Sequence, residues 1–128
     1  MTKILIIEDN EMNMRLFSDL LKSKRYEVFE CSEGGKAVAQ AKKIKPDLIL
    51  MDIQMPEVDG LTATKMIRET PSIAKTKIIA VTAFAMAGDA ERILKGGCDG
   101  YISKPISIVP FFKTIEETLA KWLLKNIR

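Results

Sequence analysis

Short, wholly apolar runs alternate with longer amphipathic stretches along the whole chain, and this alternation is the feature that most limits its fold. The apolar runs predict five strands, at Ile4–Ile7, Tyr26–Cys31, Leu48–Met51, Ile78–Val81 and Tyr101–Ile102. The stretches between and after them carry apolar residues at helical spacing. They predict five helices, at Met12–Lys24, Gly35–Lys45, Gly60–Glu69, Ala87–Lys95 and Ser107–Asn126. The chain is therefore expected to alternate strand and helix five times.

Strands that are apolar throughout are usually covered by helices on both faces, as in a parallel sheet. Right-handed connections between such strands give an α/β, flavodoxin-like, doubly wound (βα)5 fold with a five-stranded parallel sheet in the order 2-1-3-4-5. The 128 residues are enough to bury one hydrophobic core. We therefore expect one domain over residues 1–128, without an output domain.

The composition argues against several classes of protein. The net charge is only +3 and no dense basic run is present, so a nucleic-acid binder is not expected. No apolar stretch approaches the roughly 20 residues of a membrane span, and no signal peptide precedes the first strand. Cys31 and Cys98 are expected to be reduced, buried thiols. Together these features predict a cytoplasmic protein without membrane insertion.

Acidic residues follow two strands that are neighbours in the predicted sheet. Glu8 and Asp9 follow the first strand, and Asp52 follows the third. Ligand sites of doubly wound sheets lie beyond the carboxyl ends of the strands where the strand order reverses, which is the point between these two strands. Either acidic segment alone could be a solvated loop or a cap. Three converging carboxylates repel one another unless a cation joins them, and oxygen ligands suit Mg²⁺, with Mn²⁺ as an alternative.

Within this metal site, the residues are expected to have different roles. We expect Asp9 and Asp52 to be direct ligands, the backbone carbonyl of Gln54 to be a third, and Glu8 to act through water.

Two more polar residues follow strands at the same edge of the sheet. Thr82 follows the fourth strand and Lys104 follows the fifth. Taken separately, they could be an ordinary strand residue and a surface charge. Together with the carboxylates they suit an aspartyl phosphate, with Asp52 as the nucleophile, Lys104 paired with the phosphoryl group and Thr82 hydrogen-bonded to it. Position and charge are what phosphoryl transfer requires of a protein.

Four stretches, in this order and at this spacing, carry a family resemblance: "ILIIEDNEMN", "PDLILMDIQMPEVDG", "IIAVTAFAM" and "GCDGYISKPI". With them the whole chain resembles the receiver domain of bacterial two-component response regulators. The opening "EDNEMNMRLF" and the ending "YISKPIS" are further similar to stand-alone receivers that act in cell-cycle and division control. The pattern "EDN..N" is also similar to receivers fused to hybrid kinases.

The resemblance implies a phosphorylation switch. Asp52 would accept a phosphoryl group from a phosphohistidine on a separate sensor histidine kinase, which fits the absence of histidine from this chain. Thr82 would then move toward the phosphate, and Tyr101 would turn inward into the space that Thr82 leaves. That movement would change the surface made by the fourth helix, fifth strand and fifth helix.

The resemblance also implies a cis peptide bond between Lys104 and Pro105, and partners that are proteins. These would be a sensor histidine kinase and either a histidine phosphotransfer protein or a downstream regulatory protein. The chain is expected to act as a monomer. It would not be an enzyme in the usual sense, but would assist its own phosphotransfer and slow dephosphorylation.

Other functions compete with this interpretation. A phosphatase acting through an aspartyl phosphate would need a second acid two residues after the nucleophile, where Gln54 stands. A flavin-binding electron carrier would need a loop after the first strand that cradles phosphate, and Glu8 and Asp9 would repel it. A phosphate relay or sink, and a pseudo-receiver that is never phosphorylated, remain alternatives.

Overall fold

The structure is a computed structural model that describes the backbone of residues 1–83 and 87–126 and the side chains of residues 1–83 and 88–121. Strands and helices alternate five times in this part of the chain. The strands are β1 (Lys3–Ile7), β2 (Glu27–Cys31), β3 (Leu48–Asp52), β4 (Lys77–Thr82) and β5 (Gly100–Ser103). The helices are α1 (Glu11–Ser23), α2 (Ala37–Ile44), α3 (Gly60–Arg68), α4 (Ala87–Lys95) and α5 (Ile108–Asn126), and a 3₁₀ turn (Gly34–Lys36) precedes α2.

The five strands form one parallel sheet in the order β2-β1-β3-β4-β5, which confirms the predicted fold. Strands β3 and β4 extend beyond the carboxyl ends that the sequence predicts. Asp52 pairs with Val81, and Thr82 pairs with Ser103, so both polar residues are the last residues of their strands and not the first residues of loops. Their backbones are therefore held by the ladder, which limits how far each side chain can move.

The side chains of each central strand alternate between two hydrophobic cores, as the two-residue period of a strand requires. One core lies under α2, α3 and α4 and includes Leu5, Ile49 and Ala80. The other lies under α1 and α5 and includes Leu50 and Phe111. Because both faces are covered, the strands can be apolar throughout.

Two helices next to the acidic residues begin at side-chain caps. Asn10 caps α1 by accepting the Asn13 N–H at 2.9 Å, and Asp59 caps α3 by accepting the Thr62 N–H at 2.8 Å. Asn10 lies three residues after the end of β1, and Asp59 lies seven residues after the end of β3. The caps fix where each helix begins.

The opposite edge of the sheet is held by Arg68 at the end of α3. Its guanidinium group donates to the carbonyl oxygens of Ala74, Thr76 and Gly97 at 2.6–3.0 Å, and to Oδ2 of Asp99 at 3.0 Å. The same Asp99 oxygen accepts the N–H of Ile78 at 2.8 Å. One arginine therefore joins the segments that lead into β4 and β5.

The two cysteines are buried and free, as predicted. Burial is the main cause that raises the pKa of the Cys98 thiol above its usual value. Within the described helices, none is both long and apolar enough to cross a membrane.

Candidate functional site

Three carboxylates meet at the carboxyl ends of β1 and β3. One oxygen atom from each of Glu8, Asp9 and Asp52 lies within 4.8 Å of the other two. The side chains differ in exposure, because Glu8 and Asp52 are 1% and 2% exposed whereas Asp9 is open to solvent. The convergence predicted from the strand order is present. It consists of two buried anions and one exposed anion.

Backbone groups of the flanking loops hold the two buried carboxylates. The N–H of Asn10 donates to Glu8 Oε2 at 3.1 Å, and the N–H of Gln54 donates to Asp52 Oδ1 at 3.1 Å. The backbone of Glu8 itself continues the ladder, since its N–H donates to the carbonyl oxygen of Cys31 at 3.0 Å. Each carboxylate therefore has a fixed position before any ligand binds.

Lys104 is the cation of this cluster. Its Nζ atom lies 3.1 Å from Glu8 Oε1 and 3.3 Å from Asp52 Oδ1. The contact with Glu8 is close enough for an ion pair, but Oε1 has no well-formed hydrogen bond within the described residues. Lys104 thus approaches both buried acids at once, whereas the sequence predicted only its pairing with a phosphoryl group.

The site strongly perturbs the ionisation of Asp52. Burial is the largest effect, and the neighbouring Glu8 carboxyl adds to it through a hydrogen bond and through charge repulsion, so the pKa of Asp52 is raised from 3.8 to about 7. The N–H of Gln54 and the ammonium of Lys104 oppose this rise without cancelling it. Without further positive charge, the ionised form of Asp52 is therefore less favoured at neutral pH than that of an ordinary aspartate.

For the pKa of Lys104, the neighbouring charges outweigh burial. Burial alone would lower the pKa of Lys104, but the carboxylates of Glu8 and Asp52 outweigh burial and raise it above its usual value. The ammonium group therefore stays charged over the physiological pH range. The backbone of Lys104 is fixed as well, because its N–H donates to the carbonyl oxygen of Thr82 at 2.7 Å. The peptide bond between Lys104 and Pro105 is cis.

The two residues of the predicted switch differ in exposure. Thr82 is 2% exposed at the end of β4. Tyr101 is 39% exposed on the edge strand β5, where it pairs with Ala80, two residues before Thr82. The structure therefore has the threonine buried and the tyrosine turned partly to solvent.

The donor set fits a hard divalent cation. Carboxylate oxygens are the ligands that Mg²⁺ prefers, and the exposed Asp9 leaves the cluster open to the waters that Mg²⁺ usually keeps. Glu8 Oε1 is a buried oxygen without a hydrogen-bond partner in the described structure, and burial disfavours the ionised form of Asp52. A cation would relieve both conditions. Gln54 is exposed beside the cluster, and the role of its carbonyl stays a prediction.

Sequence reasoning missed one glycine that shapes this site. Gly60 opens α3 so close to β3 that a methyl group on its Cα would overlap the carbonyl oxygen of Asp52. Its N–H donates to the carbonyl oxygen of Ile53 at 3.1 Å. The sequence "VDG", with Asp59 as a helix cap before the glycine, was the available signal, but a close approach between backbones cannot be read from it.

The family model for the response regulator receiver domain matches residues 4–116, which include every residue of this site. The chain belongs to the response regulator receiver family. The acids, the threonine and the lysine at the carboxyl ends of β1, β3, β4 and β5 all lie within the matched range.

This receiver is similar along most of its length to curated relatives. It is 52% identical over 120 residues to the polar-differentiation response regulator DivK of Brucella ovis, covering 93% of this chain and 98% of the relative. DivK of Brucella anthropi is 51% identical over 116 residues, covering 91% of this chain and 94% of the relative.

Solved receiver structures have the same fold. The receiver domain of sensor histidine kinase PA1611 from Pseudomonas aeruginosa, solved with a magnesium ion coordinated in its active-site cleft, has a TM-score of 0.85 and 34% identity and covers 93% of this chain and 98% of that one. The chemotaxis response regulator CheY4 of Vibrio cholerae has a TM-score of 0.86 and 26% identity, covering 92% of this chain and 98% of that one.

Proposed function

We propose that this receiver is a phosphorylation switch of a two-component phosphorelay, in which Asp52 accepts a phosphoryl group from a phosphohistidine of a sensor histidine kinase. The observation that carries the proposal is the contact of Lys104 with both Glu8 and Asp52 beside the exposed Asp9. This cluster combines a carboxylate nucleophile, two acids that can hold a cation, and an ammonium group that can pair with a phosphate.

The chemistry follows from the charges of the site. Asp52 attacks as a carboxylate, so its proton must leave before transfer, and the ammonium of Lys104 favours that ionised form. Glu8, Asp9 and Asp52 would hold Mg²⁺, or Mn²⁺ in its place. When bound, the ion supplies the positive charge that neutralises the oxygens of the phosphoryl group. The backbone N–H of Gln54 keeps the carboxylate of Asp52 oriented during the approach of the donor.

The output would pass from Asp52 to the face formed by α4, β5 and α5. A phosphate on Asp52 offers oxygen acceptors to the hydroxyl group of Thr82 and to the ammonium of Lys104, and Thr82 moves toward it. Tyr101 then turns from its half-exposed position toward the interior. This movement changes a surface that a partner protein recognises, which makes the phosphate a switch between two states.

The biological setting proposed is regulation of cell division or cell polarity by a stand-alone, cytoplasmic, monomeric regulator. Support comes from the 52% identity with the polar-differentiation response regulator DivK of Brucella ovis, of which this chain covers 98%. Its partners would be one or more sensor histidine kinases and a histidine phosphotransfer protein or a downstream regulatory protein. Turnover as an enzyme is not proposed beyond slow loss of the receiver's own phosphate.

A second candidate is a relay or sink, in which Asp52 passes its phosphate onward or only drains a kinase. One observation favours it, namely the 34% identity with the receiver domain of a sensor histidine kinase. The two functions differ in the fate of the phosphate. Return of the phosphoryl group to a histidine-containing protein would favour the relay, and a phosphate-dependent complex with a regulator would favour the switch.

Intact mass spectrometry with a small acyl phosphate as donor tests the proposal. One phosphoryl group should be gained with Mg²⁺, none with a chelator, and none by Asp52→Asn. The matched control is Asp59→Asn, which keeps the cap of α3 and should gain the group normally. Absence of any gain in the wild-type protein, or a gain that persists in Asp52→Asn, would refute the role of Asp52 and leave a pseudo-receiver or another acceptor.

A further inference from the structure

A cavity of about 350 Å³ lies at the edge of the sheet opposite the carboxylates. Two connections form it, the one from α2 to β3 and the one from α3 to β4. Its lining consists of Lys45, Pro46, Asp47, Pro71, Ser72, Ile73, Lys75 and Thr76. The cavity is separated from Asp52 by the length of β3, roughly 15 Å at the usual rise of a strand.

The cavity contains donors that are not used elsewhere. Lys45 and Lys75 are exposed, and neither approaches a carboxylate within 4.0 Å in the described part of the chain. The hydroxyl groups of Ser72 and Thr76 likewise make no hydrogen bond to a described residue. The lining therefore includes two lysines and two hydroxyl-bearing residues whose side chains have no partner among the described residues. Such a set suits a phosphate group, for which lysine is a common ligand as a point charge.

The carboxylate of Asp47 restricts which ligands suit the cavity. One oxygen of its carboxylate accepts the N–H of Lys3 at 2.8 Å, which fixes the side chain at the cavity wall. Beside it the two lysines leave a net lining charge of +1 (two positive groups and one negative). The lysines would attract a bare phosphate and Asp47 would repel it. A ligand with a phosphate at one end and hydroxyl groups at the other could use both lysines and Asp47.

The walls of the cavity are fixed by hydrogen bonds to groups outside it. Arg68 donates to the carbonyl oxygens of Ala74 and Thr76, which holds the wall formed by residues 73–76. Across the cavity, the N–H of Lys45 donates to the carbonyl oxygen of Ala41 at 2.8 Å, and the N–H of Asp47 donates to that of Lys3 at 2.9 Å. A cavity that is already formed loses less conformational freedom when a ligand binds.

We infer that this cavity binds a small phosphorylated sugar, either free or as the ribose phosphate of a mononucleotide. The phosphate lies against Lys45 and Lys75 and accepts from Ser72 and Thr76, and the sugar hydroxyl groups donate to Asp47. The volume is at the lower end of the range for small-molecule sites, which suits a ligand of this size. The site is independent of phosphorylation at Asp52, and its failure would leave the proposed switch unaffected.

Titrations of ¹⁵N-labelled protein by NMR test the inference, with chelator present so that no metal recruits phosphate to the acidic cluster. The probes are inorganic phosphate, ribose 5-phosphate and adenosine monophosphate. Ribose 5-phosphate should give saturable shifts at the amides of residues 45–47 and 72–76, several-fold tighter than inorganic phosphate. Equal affinity for the mononucleotide would show that the sugar phosphate is the recognised part, and tighter binding that the base contributes as well.

Variants separate the parts of the site. Lys45→Gln combined with Lys75→Gln should weaken ribose 5-phosphate about tenfold or more, because both charge-assisted contacts are lost. Asp47→Asn should weaken ribose 5-phosphate but not inorganic phosphate. The matched control is Lys42→Gln, an exposed lysine of α2 that does not line the cavity, and it should bind like the wild type.

Three results would overturn the inference. They are no saturable shift with ribose 5-phosphate, unchanged binding by the double lysine variant, or shifts confined to residues 8–9 and 52–54. Inorganic phosphate binding as tightly as ribose 5-phosphate would overturn the assignment to a sugar phosphate. Because all the substitutions are at exposed or partly exposed polar positions, circular dichroism should show unchanged folding.

Discussion

Lys104 Nζ lies 3.3 Å from Asp52 Oδ1, and the same ammonium group lies 3.1 Å from Glu8 Oε1. One cation therefore faces two carboxylates that are almost completely buried. The arrangement explains how the fold tolerates two buried acids, because burying either charge without a partner would cost several kcal/mol. It also means that the stability of the fold and the proposed phosphoryl transfer would depend on the same lysine.

Lys104→Ala should lower the free energy of unfolding by about 2 kcal/mol at pH 8, where Asp52 tends to ionise. The loss should be smaller at pH 5.5, where Asp52 is protonated, since its pKa is about 7. Urea denaturation at the two pH values measures this difference. Lys95→Ala is the control, because its exposed pair with Glu91 should contribute less than about 0.5 kcal/mol. An equal loss at both pH values would contradict the assignment.

The contribution of Asp52 should make the metal-free protein less stable as the pH rises from about 4 to 7. Its folded pKa is raised from 3.8 to about 7, so its stabilising contribution is complete below the unfolded pKa and is lost as the pH rises through the folded pKa. The slope from this one group is at most about 1.4 kcal/mol per pH unit. Asp52→Asn should flatten that slope and be more stable than the wild type above pH 7.

Melting temperatures measured across this pH range, with chelator present, test the slope. Asp59→Asn is the matched control, since it makes the same chemical change at an exposed cap and should keep the wild-type profile. If Asp52→Asn had the wild-type profile, the raised pKa would be wrong.

Mg²⁺ should raise the melting temperature of the wild-type protein above pH 7, because a ligand that binds only the folded state stabilises it. With Asp9→Asn, about tenfold more Mg²⁺ should be needed for the same rise in melting temperature. The metal-free stability should stay almost unchanged, since Asp9 is exposed. Differential scanning fluorimetry over a series of Mg²⁺ concentrations gives both values. Glu11→Gln, an exposed acid outside the cluster, should respond like the wild type. The same response from Asp9→Asn would remove Asp9 from the metal site.

The fold could be predicted from the sequence because its signals are local and repeated. Runs such as Leu48–Met51 show a strand covered on both faces, and the strand order then brings Asp9 and Asp52 together. What the sequence could not give depends on contacts between distant segments. The approach of Lys104 to Glu8 requires the side-chain geometry of two loops, and neither residue carries a sign of it.

The close approach of Gly60 to the backbone of Asp52 is another feature that only the structure provides. Gly60→Ala should lower the free energy of unfolding by about 1–3 kcal/mol, because the added methyl group would overlap the backbone at Asp52 and Ile53. Alanine is the better helix former, so any loss must come from that overlap. Uptake of phosphate should also slow, since Asp52, the proposed phosphoacceptor, would be displaced. Gly35→Ala is the control, where the nearest atom to a new methyl group is 3.7 Å away, and it should be neutral in both measurements.

Arg68 supports the final prediction, because its guanidinium group serves three carbonyl oxygens and one carboxylate at the far edge of the sheet. Lysine offers a single ammonium group, which cannot reach all four acceptors in the same plane. Arg68→Lys should therefore lower the free energy of unfolding by about 2–4 kcal/mol, as part of this network is left unsatisfied. Urea denaturation measures the loss.

Arg92→Lys is the matched control for Arg68→Lys, because Arg92 is exposed and pairs only with Asp89 among the described residues, so the change should be nearly neutral. Asp99→Asn should lose less than Arg68→Lys, since the asparagine oxygen can still accept the N–H of Ile78. Equal stabilities of the Arg68 and Arg92 variants would show that the hydrogen bonds of Arg68 contribute nothing to the stability of the fold. A loss confined to Arg68→Lys, with normal phosphate uptake at Asp52, would show that this edge stabilises the sheet without taking part in the chemistry at the other.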